Sequence, residues 1–327
     1  MENIKKMALI LLGFILVGGV VVVFTGWRDW YLPVALHAIF ISGFFNFFLR
    51  RNVVKENIHQ RLFWQYLFCV GMSSLLFFYS GYRWHNMIPI IVVMGMLNGF
   101  GTFLNWKATK YSLSIQSLFL FLDDIIAVSL AWIVLKEWVF LTGWMKIGLI
   151  MIAFVIIRII WEKYREIIGK GAKIFIGIPF VFFVYVLGYS LIWGIVGFLM
   201  KFMAVADVPI LTFMLGWYGG ALITVTLIMF FINYSEKTLW RLGDLGDARL
   251  MFFCSLFIMA NTWFSYWSFQ LAPLTVVQPV FFAEQMIIPA LIGLFCFGEM
   301  KGFGWREWLV FILAAMGAVL VILGYNG

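Results

Sequence analysis

Charged residues are scarce in this chain of 327 residues, at 12%, whereas apolar residues make up 64%. Soluble domains carry about a quarter charged residues and about half apolar ones, so this composition excludes an ordinary water-soluble protein. Aromatic residues are abundant instead, with 37 Phe and 16 Trp. Such side chains face lipid and anchor proteins at the membrane–water interface. The composition therefore predicts an all-α integral membrane protein.

Cysteine and histidine are also rare, with three copies of each. Cys69, Cys254 and Cys296 lie inside apolar segments, which predicts small buried side chains and no disulfide framework. The histidines are scattered, and no H-E-x-x-H or G-x-S-x-G motif occurs. Zinc hydrolases and α/β-hydrolases need those spacings. We therefore predict no catalytic residue, no metal and no cofactor, and we do not expect an enzyme.

Apolar runs near the length of about 20 residues that a membrane helix needs occur eleven times. The first run is longer than a signal-peptide core and no A-x-A site follows it, so it is expected to be a retained span. The predicted spans are Met7–Thr25, Tyr31–Leu49, Phe63–Tyr82, Met87–Trp106, Leu113–Leu135, Val139–Ile160, Ile174–Met200, Val208–Asn233, Leu250–Leu271, Val276–Phe297 and Trp308–Tyr325.

The net charge of +8 is distributed unevenly between the alternating loops. One side holds 18 of the 23 basic residues. The other side holds five: Arg28, Arg83, Lys136, Lys146 and Lys201. Loops rich in Lys and Arg stay in the cytoplasm, which predicts a cytoplasmic N-terminus and an outside C-terminus. The same asymmetry accounts for the positive charge without nucleic acid as a partner. The size and the lack of a targeting extension favour a bacterial or archaeal plasma membrane.

Polar residues recur at a nearly constant offset along the chain. Asn98, Gln116, Asp123 and Glu137 are followed 163, 162, 162 and 162 residues later by Asn261, Gln278, Gln285 and Glu299. The spacing predicts two five-helix units, residues 31–160 and 174–327, joined by a cytoplasmic linker at 161–173. Because five is odd, the second unit would be inverted relative to the first. Residues 1–30 would form an extra N-terminal helix.

The segment TVVQPVFFAEQMIIPALIGLFCFGEMKGFGWREWLVFILAAMGAVLVILG (275–324) carries a family resemblance. It has Pro279 in its first helix, Glu299 at the far end of that helix, and Gly317 and Gly324 in the last helix. In these features it resembles the end of an EamA-type repeat of the drug/metabolite transporter superfamily. The resemblance implies inverted five-helix repeats around a central cavity and movement of small metabolites by alternating access. Two features depart from it: the family typically has ten helices, and the helix around Asp123 has no proline.

Two adjacent acids, Asp123 and Asp124, interrupt the apolar run SLFLFLDDIIAVSLA (117–131). A carboxylate at the bilayer centre costs about 2.5–3.5 kcal/mol when it faces lipid, so these groups are expected to face a cavity or a partner. Gln116 and Asp123 lie seven residues apart on one helical stripe. Because this spacing recurs in the second unit, Asp123 is expected to line the cavity, and Asp124 to point towards a neighbouring helix.

Further polar and aromatic residues complete the predicted substrate- or proton-binding site. Its nine members are Asp123, Asp124, Glu284, Gln285, Gln116, Gln278, Asn98, Asn261 and Trp263. The acids could instead be structural, and the two asparagines could serve as interhelical hydrogen-bonding groups. His37 is expected to be a hydrogen-bonded core residue. Glu137 and Glu299 stand at helix ends and are expected at the membrane interface. The motif GMLNGFG (95–101) predicts close helix packing.

These features favour a secondary transporter, an exporter or exchanger, for a small organic metabolite, with proton coupling through midplane carboxylates as one mechanism. Its partners would be that solute and the lipid bilayer, and its oligomeric state is left open. A flippase for a lipid or lipid precursor is the nearest alternative. A membrane-embedded enzyme or a structural membrane protein are alternatives from other classes, but the first lacks a catalytic motif and the second leaves the acids unexplained.

Overall fold

The computed structural model describes residues 2–48, 58–81, 85–111, 121–167, 180–235, 245–296 and 305–325. Every long element in these ranges is a helix. Numbered in chain order, the helices are α1 (Glu2–Thr25), α2 (Tyr31–Phe48), α3 (Ile58–Tyr79), α4 (Ile88–Tyr111), α5 (Phe121–Val134), α6 (Gly143–Ile167), α7 (Phe180–Val205), α8 (Ile210–Ser235), α9 (Leu245–Leu271), α10 (Leu274–Cys296) and α11 (Trp305–Gly324).

Eight helices within the described ranges are long and apolar enough to cross a membrane. Large apolar side chains such as Val23, Leu75 and Phe180 are exposed on the outside of the bundle. A helix satisfies its own backbone hydrogen bonds, which is what a segment surrounded by lipid requires. The prediction of an all-helical membrane protein is therefore confirmed.

Several helix ends differ from the predicted ones, because the length of an apolar run does not show where capping residues begin or end a helix. The run predicted as Val139–Ile160 begins instead with a short 3₁₀ turn, Glu137–Phe140, and α6 starts at Gly143. The Thr142 hydroxyl accepts a hydrogen bond from the Met145 N–H at 3.4 Å and so caps the start of α6. At its other end α6 continues to Ile167, beyond the apolar run.

Glycines allow α4 and α8 to pack with their backbones in contact. A Cβ on Gly95 would overlap the carbonyl oxygen of Trp217, and one on Gly99 would lie 2.8 Å from that of Ala221. From the other side, a Cβ on Gly220 would overlap the carbonyl oxygen of Val92. The close packing predicted from the GMLNGFG motif is confirmed.

The remaining contacts show which helices are neighbours in the bundle. Helix α3 packs against α8 and α9, and α4 packs against α7 and α8. Helix α7 also contacts α5 and α9, whereas α2 contacts α9 and α10. Helices α6 and α11 pack against each other, and α5 packs against α10. These contacts bring α2, α4, α5, α7, α9 and α10 around one central space.

Helix α1 lies at the edge of the bundle. Its side chains Met7 and Leu11 pack against Ile288 and Ile292 of α10. Leu11 also lies directly over Gly43 of α2, which leaves room for it by having no side chain. Most of α1 is otherwise exposed, as expected for a lipid-facing helix added outside a core.

Helix α2 changes its winding in the middle. Residues Ala38–Phe45 form π-helical turns, directly after His37. The i→i+5 pairing of a π-helix is rare and occurs often at functional sites. It also directs the Ser42 hydroxyl towards α10, where it donates to the Glu284 carboxylate at 3.4 Å.

Candidate functional site

A cavity of about 290 Å³ occupies the centre of the bundle. Helices α2, α4, α7, α9 and α10 contribute most of its lining, with one residue each from α3, α5 and α8. Pockets for small molecules begin near this size. The cavity therefore fits a small organic solute.

The wall of the cavity combines uncharged polar side chains with aromatic and aliphatic ones. The polar side chains other than acids are His37, Asn46, Asn98, Thr102, Asn105, Thr109, Asn261, Thr262, Ser265, Gln278 and Gln285. Asp123 is the acid in this set, and no Lys or Arg is found among the described lining residues. Polar groups at membrane depth are costly, and they concentrate on ion and substrate pathways.

His37 connects α2 to two other helices across the cavity wall. Its Nε2 lies 2.8 Å from Asn261 Oδ1 on α9, and its Nδ1 is hydrogen-bonded to Glu284 Oε1 on α10. The Phe281 ring stacks on the imidazole, with 4.2 Å between ring centroids. Both ionisable side chains are buried, at 1% exposure for His37 and 3% for Glu284. The two buried side chains thus satisfy each other by hydrogen bonding.

Asp123 and Asp124 have different surroundings although they are adjacent. Asp124 Oδ1 accepts a hydrogen bond from Gln278 Nε2 of α10, and Asp124 is outside the cavity lining. Asp123 is in the lining, and its Oδ1 is buried with no hydrogen-bond partner among the described residues. Asp124 Oδ2 is likewise buried with no hydrogen-bond partner among the described residues. As predicted, one acid therefore faces the cavity and the other faces a neighbouring helix.

Glycine again determines how closely the helices approach at this point. A Cβ on Gly194 of α7 would lie 2.9 Å from the Asp123 carbonyl oxygen and 2.6 Å from the Ile126 Cβ. Because Gly194 has no side chain, α5 can lie directly on α7. The preceding residue, Trp193, also lines the cavity, and its indole nitrogen lies against Gly101 of α4.

The structure brings most of the predicted site residues to this cavity. Five of the nine line it: Asn98, Asp123, Asn261, Gln278 and Gln285. Asp124 and Glu284 lie behind the wall and bond to lining residues. Gln116 lies outside the described residues.

Trp263 was predicted in the site, but it is half-buried against the hydrophobic core and does not line the cavity. Two residues along a helix from Asn261 correspond to a turn of about 200°, so Trp263 faces a different side of α9 from Asn261. The lining tryptophans are Trp106, Trp193 and Trp217. With 16 tryptophans in the chain, residue type alone did not distinguish them.

His37 is confirmed as a hydrogen-bonded core residue, but its place in the cavity wall was not predicted. Its partners are 224 and 247 residues away along the chain. A signal existed in the sequence, because Glu284 also needed a polar partner at membrane depth. Composition could not identify which of the candidate side chains it would be.

Glu137 stands at a helix end as predicted, but it is buried inside the protein, at 4% exposure, instead of being open to solvent. Its carboxylate accepts hydrogen bonds from the N–H groups of Leu274 and Thr275 at 3.0 and 2.8 Å, and from the Thr275 hydroxyl at 2.9 Å. These are the unpaired donors at the start of α10. Glu137, at the end of one helix, is therefore buried and caps the start of another. Glu299, its predicted counterpart, lies outside the described residues.

No group of three or more His, Cys, Asp or Glu side chains in the described ranges is arranged to hold a metal ion. Comparison with models of known protein families gives no match to this chain, and a search of curated proteins gives none either.

Proposed function

We propose that this protein is a secondary transporter that moves a small organic solute across the membrane by alternating access. One observation supports this most directly: a cavity of about 290 Å³ with many uncharged polar side chains in its wall lies within a membrane helix bundle and is lined from both halves of the chain. Transporters place their substrate sites near the midplane, between two structural units. An exporter or exchanger in a bacterial or archaeal plasma membrane, with a cytoplasmic N-terminus, is the form we propose.

The packing of the helices supports an inverted repeat of residues 31–160 and 174–327. Exchanging α2–α6 with α7–α11 in order converts the α4–α8 contact into α9–α3, α4–α7 into α9–α2, and α5–α7 into α10–α2, all of which occur. The contacts α3–α8, α5–α10 and α6–α11 are converted into themselves. Most contacts thus have a counterpart under this exchange, whereas α7–α9 and α10–α11 have none of similar extent, and α1 is left as the extra helix. This arrangement agrees with the EamA-type resemblance, which we retain as a proposal.

The buried acids offer a means of coupling transport to protons. Asp123 faces the cavity. Glu284 lies behind the wall and is hydrogen-bonded to His37, which lines the cavity together with its other partner, Asn261. A carboxylate at membrane depth can bind a proton or a cation reversibly, which is why such residues mark proton relays and ion pathways. We include proton coupling in the proposal on this basis.

The size and polarity of the cavity favour a solute over a lipid. A flippase must accommodate acyl chains, whereas amide, hydroxyl and carboxylate groups occupy much of this lining. At about 290 Å³ the cavity is also close to the lower limit of pockets that bind small molecules.

Ligand binding to the purified protein tests the proposal. Thermal unfolding in detergent would be followed with a panel of amino acids, polyamines, sugar nucleotides and neutral polyols at two pH values. A ligand that binds only the folded state stabilises it by about 2.7 kcal/mol at a concentration of 100 Kd. Hits would then be tested for uptake into proteoliposomes, with and without a pH gradient.

We expect at least one panel compound to stabilise the protein and to be transported, and Asp123→Asn to abolish its transport while the variant stays folded. Asp207→Asn, which alters an exposed acid outside the cavity, is the matched control. Unchanged transport in Asp123→Asn would refute the role of the acid. Failure of every compound to bind or to move would count against transport itself.

A further inference from the structure

Three uncharged polar side chains that line the cavity have no hydrogen-bond partner among the described residues. They are Asn105 on α4, Ser265 on α9 and Gln285 on α10. Their polar atoms have surface that reaches the cavity, whereas Asp123 Oδ1 is enclosed in the wall. Asn105 is 8% exposed, so its unpaired amide lies inside the bundle. Buried polar groups are nearly always paired, so these three groups pair with whatever fills the cavity.

Each of these side chains can both donate and accept a hydrogen bond. An Asn or Gln amide has a carbonyl oxygen and an NH₂ group, and a serine hydroxyl also serves in both roles. Asn261 adds a donor, because its Oδ1 is paired with His37 and its Nδ2 is left for the cavity. A hydroxyl group on a solute can pair with every one of them. The wall therefore favours a solute that carries several hydroxyl groups.

The lining also provides the apolar surface that the carbon skeleton of such a solute needs. Trp106 and Trp217 are in the same wall as the unpaired amides. Pockets for small molecules combine aromatic side chains with a few polar groups that fix the orientation of the ligand. The unpaired groups come from α4, α9 and α10, so they can hold a solute from more than one side.

The wall offers no counter-charge to an anion. No Lys or Arg appears in the described lining, and the ring nitrogens of His37 are engaged by Asn261 and Glu284. A carboxylate or phosphate on the solute would therefore enter a cavity at membrane depth without a cation to balance it, which is costly. The same reason disfavours a zwitterion.

Asp123, the acid among the described lining residues, is poorly placed to act as a counter-ion for a cation. Its buried Oδ1 has no donor within the described residues. An ionised Asp123 would keep a buried charge without a hydrogen bond at that atom, which is costly. A protonated carboxyl group both donates and accepts, as the amides do. Asp123 therefore belongs to the same uncharged polar surface.

We propose that the solute is an uncharged polyhydroxyl compound, a polyol or a sugar, whose hydroxyl groups pair with Asn105, Ser265 and Gln285. Asp123 contributes an uncharged carboxyl group to the same site. This inference rests on the proposed transport function and assigns the chemical class of its substrate.

The test uses two series of compounds that differ from the neutral parent in one group. The first is glycerol with its amino analogue serinol, its acid glycerate, and 1,3-propanediol, which lacks one hydroxyl. The second is glucose with glucosamine, glucuronate and 2-deoxyglucose. Binding to the full-length purified protein is measured by thermal unfolding and calorimetry at slightly acidic pH, where the amines are protonated and the acids ionised. In at least one series we expect the neutral parent to bind about tenfold or more tightly than each of its analogues.

Variants test the individual contacts. Asn105→Leu and Gln285→Met retain the size of the side chain and remove its polar groups, so each should weaken binding of the parent compound about tenfold. Asn233→Leu makes the same change at a buried asparagine of α8 outside the cavity lining, and should leave binding unchanged. Asp123→Asn, which keeps a donor and an acceptor, should bind the parent about tenfold more tightly than Asp123→Leu. If a variant does not fold, the comparison of compounds on the wild-type protein still decides the matter.

The possible failures can be distinguished. If an amine or an acid binds and is transported while its neutral parent is not, the substrate class is wrong and transport stands. Binding of the parent that is unaffected by Asn105→Leu and by Gln285→Met excludes the proposed contacts. If no compound of these series or of the wider panel binds or is transported, the proposed function fails together with this inference.

Discussion

Glu137 caps the first turn of α10 by accepting hydrogen bonds from the backbone N–H and the side-chain hydroxyl of Thr275, at 2.8 and 2.9 Å. On the other side of the same turn, Lys201 Nζ donates to the carbonyl oxygens of Phe269 and Ala272 at 2.6 and 2.8 Å. Lys201 Nζ and Glu137 Oε1 are 3.9 Å apart. An acid at a helix N-terminus and a base at a helix C-terminus both match the helix dipoles. The α9–α10 turn is therefore fixed from two sides by buried charges.

We predict that Glu137→Ala destabilises the protein strongly. The change removes the cap of α10 and leaves the buried Lys201 without its acid, and breaking a buried pair costs about 3–5 kcal/mol. Glu137→Gln retains one acceptor oxygen and should lose less. Thermal unfolding in detergent should rank wild type first, then Gln, then Ala. Asp207→Asn, at an exposed acid, should stay within about 0.5 kcal/mol of wild type. An Ala variant as stable as wild type would show that the cap is unimportant.

The contrast between Glu137 and Asp123 shows what the sequence could predict. The repeated spacing placed Asp123 correctly at the cavity, because a stripe on one helix is a local property. The partners of Glu137 lie 137 and 138 residues away, and an acid at the end of an apolar run is ordinarily interfacial. Its burial follows from the position of α10, which only the packing of the bundle determines. The His37–Glu284 hydrogen bond could not be predicted for the same reason, because it also depends on how distant helices pack.

Close helix packing was easier to predict from the sequence, because the spacing of glycines along a single helix indicates it. Gly95 and Gly99 predicted a close contact, and the structure provides it. The sequence did not identify the partner helix, since Gly216 and Gly220 are one of several small-residue pairs in the chain.

For the α4–α8 contact, we predict that Gly220→Ala is destabilising and Gly219→Ala is not. A Cβ at Gly220 would overlap the Val92 carbonyl oxygen, whereas a Cβ at Gly219 meets nothing within 4 Å. The two glycines are adjacent on one helix, so helix propensity favours alanine equally at both. Expression level and thermal stability should fall only for Gly220→Ala. Equal behaviour of the two variants would mean that α4 and α8 are further apart than described.

The His37–Glu284 pair should show strong energetic coupling. His37→Phe leaves a buried carboxylate without its partner, and Glu284→Gln alters the other side of the same hydrogen bond. Each single change should be destabilising, and the double change should cost less than their sum by about 0.5–3 kcal/mol. Thermal unfolding of the four proteins measures this difference. Additive effects would show that the two side chains do not depend on each other.

The orientation of the bundle can be tested with a matched pair of cysteines. Tyr79 ends α3 and is 93% exposed, and Tyr234, near the end of α8, is 78% exposed. With a cytoplasmic N-terminus, Tyr79 lies outside and Tyr234 inside. The three native cysteines are buried, so they should add little labelling. In intact cells, a membrane-impermeant maleimide should therefore label Tyr79→Cys and not Tyr234→Cys, and both should be labelled after permeabilisation.

The result also tests the inverted repeat, because five helices, α4 to α8, connect the two positions. An odd number of crossings places Tyr79 and Tyr234 on opposite sides, and an even number places them on the same side. The reverse labelling, with only Tyr234→Cys modified, would overturn the orientation predicted from the basic loops and leave the repeat intact. Labelling of both from outside would mean that one of the five helices does not cross, and two inverted five-helix units would then be impossible.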